Sequence, residues 1–165
     1  MAAAAIQECD VLIAGGGPTG VTLALLLARQ GVSVIVAEKE AEIYPLPRAA
    51  HLDHEIIRVF QEVGAAEAIV RSSRQSSRYD FLNGTGEILL RFTGSDRIGP
   101  GGWPAANMIH QPSVERVLRD RLADYPAARL EARWEVLSFA EDAGGVTARV
   151  ATPAGEQVVR ARYLV

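Results

Sequence analysis

The chain is most constrained where Val11-Leu12-Ile13-Ala14 runs into glycines spaced G-x-G-x-x-G, at Gly15, Gly17 and Gly20. The apolar run Val21-Thr22-Leu23-Ala24-Leu25-Leu26-Leu27-Ala28 follows at once. Strand, glycine turn and helix in immediate succession open a dinucleotide-binding βαβ unit. Gly15 supplies the positive φ of the tight turn, Gly17 has no Cβ to hold the backbone away from a pyrophosphate, and Gly20 lets the helix lie close to the strand. Pro18 suits the first helical position, where its missing N–H costs nothing. With Thr19 it completes the turn, and the free N–H groups and helix dipole behind it face an anion.

A glycine pattern alone is weak evidence, since such turns arise by chance. Here a second strand, residues 32–38, follows Gly31 and ends in Glu38. An acid about 20 residues beyond the turn is placed to accept hydrogen bonds from the ribose hydroxyls of an adenine dinucleotide. The plainer reading, a turn followed by an ordinary surface glutamate, leaves that spacing to coincidence.

A chain of 165 residues supports one domain with a real core. The net charge of −3 gives no electrostatic reason to expect nucleic acid or an anionic membrane as partner. The single cysteine, Cys9, has no intrachain disulfide partner, is expected as a small buried hydrophobe, and fits a reducing cytoplasm. Residues 1–5 lack the charged flank and apolar core of a secretory signal. No apolar run approaches the roughly 20 residues of a membrane span.

Beyond the βαβ start, Pro45 and Pro47 force an extended path. Asp53 then N-caps a helix over 54–63 that Gly64 stops, and a short helix over 65–70 follows. The arginine- and serine-rich stretch 71–78 reads as a solvated connection, and residues 79–82 and 87–92 as a β-hairpin around 83–86. The glycine-rich stretch 94–102 reads as a loose loop, 107–110 as a short strand, and 114–124 as a helix led in by Gln111-Pro112-Ser113 and ended by Pro126. Short strands follow over 129–132, 134–139, 146–150 and 157–159, with a further buried strand over 161–165. A hairpin and meander at these places argue against an ordinary NAD-dependent dehydrogenase domain, which would continue β-α-β.

The stretches VLIAGGGPTGVTLALLLARQGVSVIVAEKE, YPLPRAAHLDHEIIRVFQEVGA and MIHQPSVERVLRDRL, with the meander ending in RYLV, resemble the flavoprotein aromatic hydroxylases of the para-hydroxybenzoate hydroxylase type. Within them the chain is similar to the 3-(3-hydroxyphenyl)propionate and polyketide hydroxylases. The resemblance implies an α/β fold, a Rossmann-like FAD-binding domain over 1–72 and 112–165 that is incomplete, and a β-hairpin portion of a substrate-binding domain over 73–111. It implies the N-terminal part of an FAD-dependent monooxygenase in which NADH or NADPH reduces FAD, and a flavin C4a-hydroperoxide hydroxylates a phenolic ring with oxygen from O₂. The family's two Gly-Asp segments are missing, so this chain is not expected to turn over substrate alone; the C-terminal half would come from the same gene or another chain. The rival reading is a non-catalytic FAD- or NAD-binding module acting with another polypeptide.

By the same resemblance Gly15, Gly17, Pro18, Thr19 and Gly20 would meet the FAD pyrophosphate, Glu38 the adenosine ribose, and Lys39 a position where the family often has arginine. Arg48 matches the arginine of the Pro-Arg loop along the FAD, Gln111 the glutamine that bonds the ribityl chain, and Val136 belongs to the cofactor-contacting set. His51 is the candidate base that turns a phenol into a phenolate. Asp53 either orients it or only caps the helix; His54 and His110 read as structural, and no ligand set with a metal's spacing accompanies them.

Overall fold

The computed structural model describes residues 6–165, so the N-terminal alanines lie outside it. In chain order the elements are β1 (Ile6–Ala14), α1 (Pro18–Arg29), β2 (Val34–Glu38), β3 (His51–Asp53), α2 (His54–Glu62), α3 (Ala66–Ser72), β4 (Arg74–Gln75), β5 (Arg78–Leu82), β6 (Ile88–Thr93), β7 (Ala106–Met108), α4 (Gln111–Leu122), β8 (Ala128–Ala132), β9 (Glu135–Asp142), β10 (Gly145–Thr152) and β11 (Gly155–Leu164). They fall into two compact units: the residues up to Pro45 with Leu118–Val165, and Leu46–Val117.

The first unit is built on a six-stranded sheet in the order β8-β2-β1-β11-β10-β9. β8, β2, β1 and β11 run parallel, while β11, β10 and β9 form an antiparallel meander. This is the mixed α/β architecture expected from the sequence. β2 is buried along Val34–Ala37, as a central parallel strand must be when both its faces are covered. α1 buries Val21, Ala24, Leu25 and Ala28, one stripe at helical spacing. In the meander the period is two: Ala148, Val150, Val159 and Ala161 point inward and join Leu12, Ile35 and Trp134 in one core cluster.

Two expectations for this unit change. The last two expected strands are one ten-residue strand, β11, because Arg160 and Arg162 occupy outward positions of a continuous alternation instead of breaking it. Its end is not buried: Tyr163 is 61% exposed. Cys9 is only half-buried against the core cluster, and burial pushes its thiol up from the ordinary range.

In the second unit β3, β7 and β4 form a small antiparallel sheet, and β5 and β6 the expected hairpin. Asp53 caps α2: its Oδ1 accepts from the N–H groups of Glu55 (3.0 Å) and Ile56 (2.9 Å). Three readings are corrected. The stretch 71–78 is not all solvated connection, since Arg74 and Gln75 pair with Met108 and Asn107. α4 starts at Gln111, with Pro112 inside its first turn where proline is tolerated. The stretch 94–102 is not loose. Gly99 N–H donates to Trp103 O (2.8 Å), Gly102 N–H to Gly99 O (2.9 Å) and Gly101 N–H to His54 Nδ1 (3.3 Å). A Cβ on Gly99 would overlap the His54 ring, so glycine is what lets the loop close onto α2.

Candidate functional site

In the first unit the glycine turn is sewn to the end of β2. Gly15, at φ +122°, donates its N–H to Ala37 O (2.9 Å). Gly16 N–H donates to Glu38 Oε2 (2.7 Å), and Glu40 N–H to Glu38 Oε1 (2.8 Å). Trp134 N–H donates to the Glu38 carbonyl (2.9 Å), just after Arg133 turns the chain through φ 61°. The Glu38 side chain therefore has a fixed position before any ligand arrives, and each carboxylate oxygen retains capacity for a further donor. Gly20 permits the close approach behind the turn, because a Cβ there would overlap Gly15 O.

Gly17 is different in kind. A Cβ on it would meet nothing within 4 Å, so this face of the turn is open. The first helical bond runs from Val21 N–H to Gly17 O (3.0 Å), which places the N–H groups of Thr19 and Gly20 ahead of the ladder. An open glycine face beside free N–H groups at a helix N-terminus is a fit for a pyrophosphate. Lys39 is exposed beside Glu38. Val136 packs against the core cluster and lines an open groove of about 850 Å³ with Ala14, Leu137, Phe139 and Tyr163.

In the second unit the residues after Pro47 are held by Gln111. Its buried Oε1 accepts from the backbone N–H groups of Arg48 (3.0 Å) and Ala49 (2.7 Å), and its Nε2 donates to Glu115 Oε1 (2.8 Å). That commits three of the amide's four hydrogen-bonding capacities and leaves one N–H. The Arg48 side chain is exposed. His51 is exposed on β3, opposite Met108, with its ring 6.2 Å from that of Tyr79. Asp53 is engaged as the α2 cap, His54 receives Gly101 N–H, and His110 Nδ1 lies 2.9 Å from Ser113 Oγ.

Sequence reasoning missed two contributors. Arg119 Nη2 donates to Gly16 O (2.8 Å) across 103 positions, a pairing that no local signal announces. Glu115 was legible in principle, because Gln111 and Glu115 stand four apart on one helix, where such side chains meet.

A family model described as FAD binding domain matches residues 8–165. A probable NADH-specific resorcinol 4-hydroxylase of Rhodococcus jostii (strain RHA1) is 40% identical over 161 residues, covering 96% of this chain and 30% of that protein. A 3-(3-hydroxy-phenyl)propionate/3-hydroxycinnamic acid hydroxylase of Paraburkholderia xenovorans (strain LB400) is 36% identical over 159 residues, covering 96% and 25% respectively. Among solved structures, aklavinone-11 hydroxylase in a ternary complex with FAD and aklavinone superposes with TM-score 0.78 at 29% identity, over 97% of this chain and 32% of that one. The flavin-dependent monooxygenase PieE in complex with FAD and substrate gives 0.80 at 26%, over 95% and 29%. The chain thus spans less than a third of the length of these relatives.

Proposed function

The chain belongs to the FAD binding domain family, and from that premise we propose that it is the FAD-holding part of an NAD(P)H-dependent monooxygenase acting on a phenolic compound. The single observation that carries the cofactor is the glycine turn itself: tied to Glu38 on one side and open at Gly17 on the other. In this reading Gly15, Gly17, Pro18, Thr19 and Gly20 receive the pyrophosphate, and Glu38, with Lys39 beside it, accepts the ribose hydroxyls. Arg48, the remaining N–H of Gln111, and Val136 are assigned to the cofactor as well. When bound, FAD supplies the electron transfer from NADH or NADPH and the activation of O₂. His51 accepts the phenolic proton on an imidazole nitrogen, making the ring electron-rich. A phenolic substrate and NADH as reductant are favoured by the names of the hydroxylase relatives. We further infer a cytoplasmic setting, and a cofactor domain over 1–72 and 112–165 with 73–111 serving the substrate side. Among the described residues no helix is long and apolar enough to cross a membrane.

The test is the visible spectrum of the purified chain after loading with excess FAD and desalting, for wild type and Gly17→Val. Wild type is expected to keep a protein-perturbed flavin band. Gly17→Val is expected to lose it with its circular dichroism unchanged, because a Cβ at this position meets no atom within 4 Å. Equal FAD retention by both would overturn the placement of the pyrophosphate.

A further inference from the structure

The buried carboxylate of Glu115 has no part in the assignments above, yet it stands one hydrogen bond behind the segment that carries Arg48. Gln111 is 6% exposed and Glu115 3% exposed. A buried glutamine amide has two orientations related by a flip, and only one of them presents oxygen to the N–H groups of Arg48 and Ala49. A carboxylate oxygen at 2.8 Å accepts the Nε2 hydrogen and makes the flipped orientation costly, since amide oxygen would then face carboxylate oxygen while two backbone donors faced an NH₂ group. Pro45 and Pro47 restrict the chain just before this point but provide no donor of their own. The Gln111 oxygen that Glu115 orients thus accepts from the N–H groups of both Arg48 and Ala49.

We propose that Glu115 is a positioning residue: by fixing the amide orientation of Gln111 it sets the backbone at Arg48 and Ala49, and so presents the Arg48 guanidinium to the cofactor. This rests on the reading of Arg48 as a cofactor contact. Fixing the loop in advance lowers the ordering cost of binding.

Two measurements separate this inference from that reading. The first is amide hydrogen exchange by NMR on the ligand-free chain, for wild type, Glu115→Leu, Glu115→Gln, Gln111→Leu and the Glu115→Leu/Gln111→Leu double variant. Glu115→Leu is expected to lower protection at Arg48 and Ala49 by about tenfold while Val159 in the first-unit core is unchanged. Glu115→Gln, which keeps an acceptor oxygen, is expected to retain most of it. In the Gln111→Leu background Glu115→Leu should add nothing at these two amides. A uniform loss over the whole chain, unchanged protection at 48 and 49, or additive losses in the double variant would each overturn the role. The second is FAD affinity by flavin fluorescence, where Glu115→Leu is expected to weaken binding about tenfold and to add nothing to Arg48→Ala. Local loss of protection with wild-type FAD affinity would overturn the link to the cofactor. A wild-type chain that binds no FAD would count against the Arg48 reading, and the exchange data would still decide whether Glu115 sets the loop.

Discussion

The side chain of Asn107 is fully buried and ties three segments of the second unit together. Its Nδ2 donates to Pro104 O (2.9 Å) and Leu52 O (3.4 Å), and its Oδ1 accepts from Gln75 Nε2 (3.2 Å) and Ser73 Oγ (3.4 Å). Asn107→Leu has nearly the right volume and removes all four of those bonds, so it is expected to destabilise by about 1–3 kcal/mol, read as a lower urea midpoint. Gly20→Ala acts through sterics instead. The clashing atom is a backbone carbonyl oxygen, which cannot swing aside, and a loss of about 1–3 kcal/mol is expected in the same assay. At the surface, Arg160 grips Asp142 with both Nη atoms (2.9 and 2.6 Å), and with Gly144 N–H it holds that carboxyl at about 2, below its ordinary 3.8. A depressed carboxyl stabilises the folded state above the unfolded value of 3.8, and that contribution disappears as pH falls from there through about 2. Arg160→Leu is expected to return the Asp142 titration toward 3.8 when followed by NMR. An unmoved titration would mean that the backbone N–H groups of Gly144 and Gly145 are responsible instead.

At the level of elements, the α2 cap is a chemical prediction with an internal control. Asp53→Ala is expected to cost about 1 kcal/mol, whereas Asp53→Asn, which retains an acceptor, should cost little. Equal costs would show that Asp53 does something other than cap. The βαβ start and this cap were legible because their causes are local: a glycine spacing, an acid at the end of a strand, an acceptor two residues ahead of a free N–H. The closure of the 94–102 loop was not, since His54 and Gly101 lie 47 positions apart and a glycine-rich stretch reads as freedom until its partner is known. Gln111 was singled out, but its bonds to the Arg48 segment span 62 and 63 positions and were invisible for the same reason. β11 was misread at Arg160 and Arg162, whose outward placement becomes evident only when β10 is laid beside them.

For the sheet as a whole, β9 is an edge strand, and along it Leu137 and Phe139 are exposed, with Tyr163 of β11 lining the same groove. An open apolar edge is a template for pairing with another chain. Concentration-dependent association is expected in sedimentation velocity, and Phe139→Lys should shift it toward the monomer without lowering thermal stability. The order of the sheet also governs when it can exist. β1 lies between β2, which follows it within about two dozen residues, and β11, whose residues 158–164 pair with residues 6–12. During synthesis the first strand therefore emerges with one neighbour soon available and the other still unmade until residues 158–164 have been translated. Until then the β1 edge that β11 will occupy has no partner, so closure of the sheet waits on a long-range pairing, which is intrinsically slow.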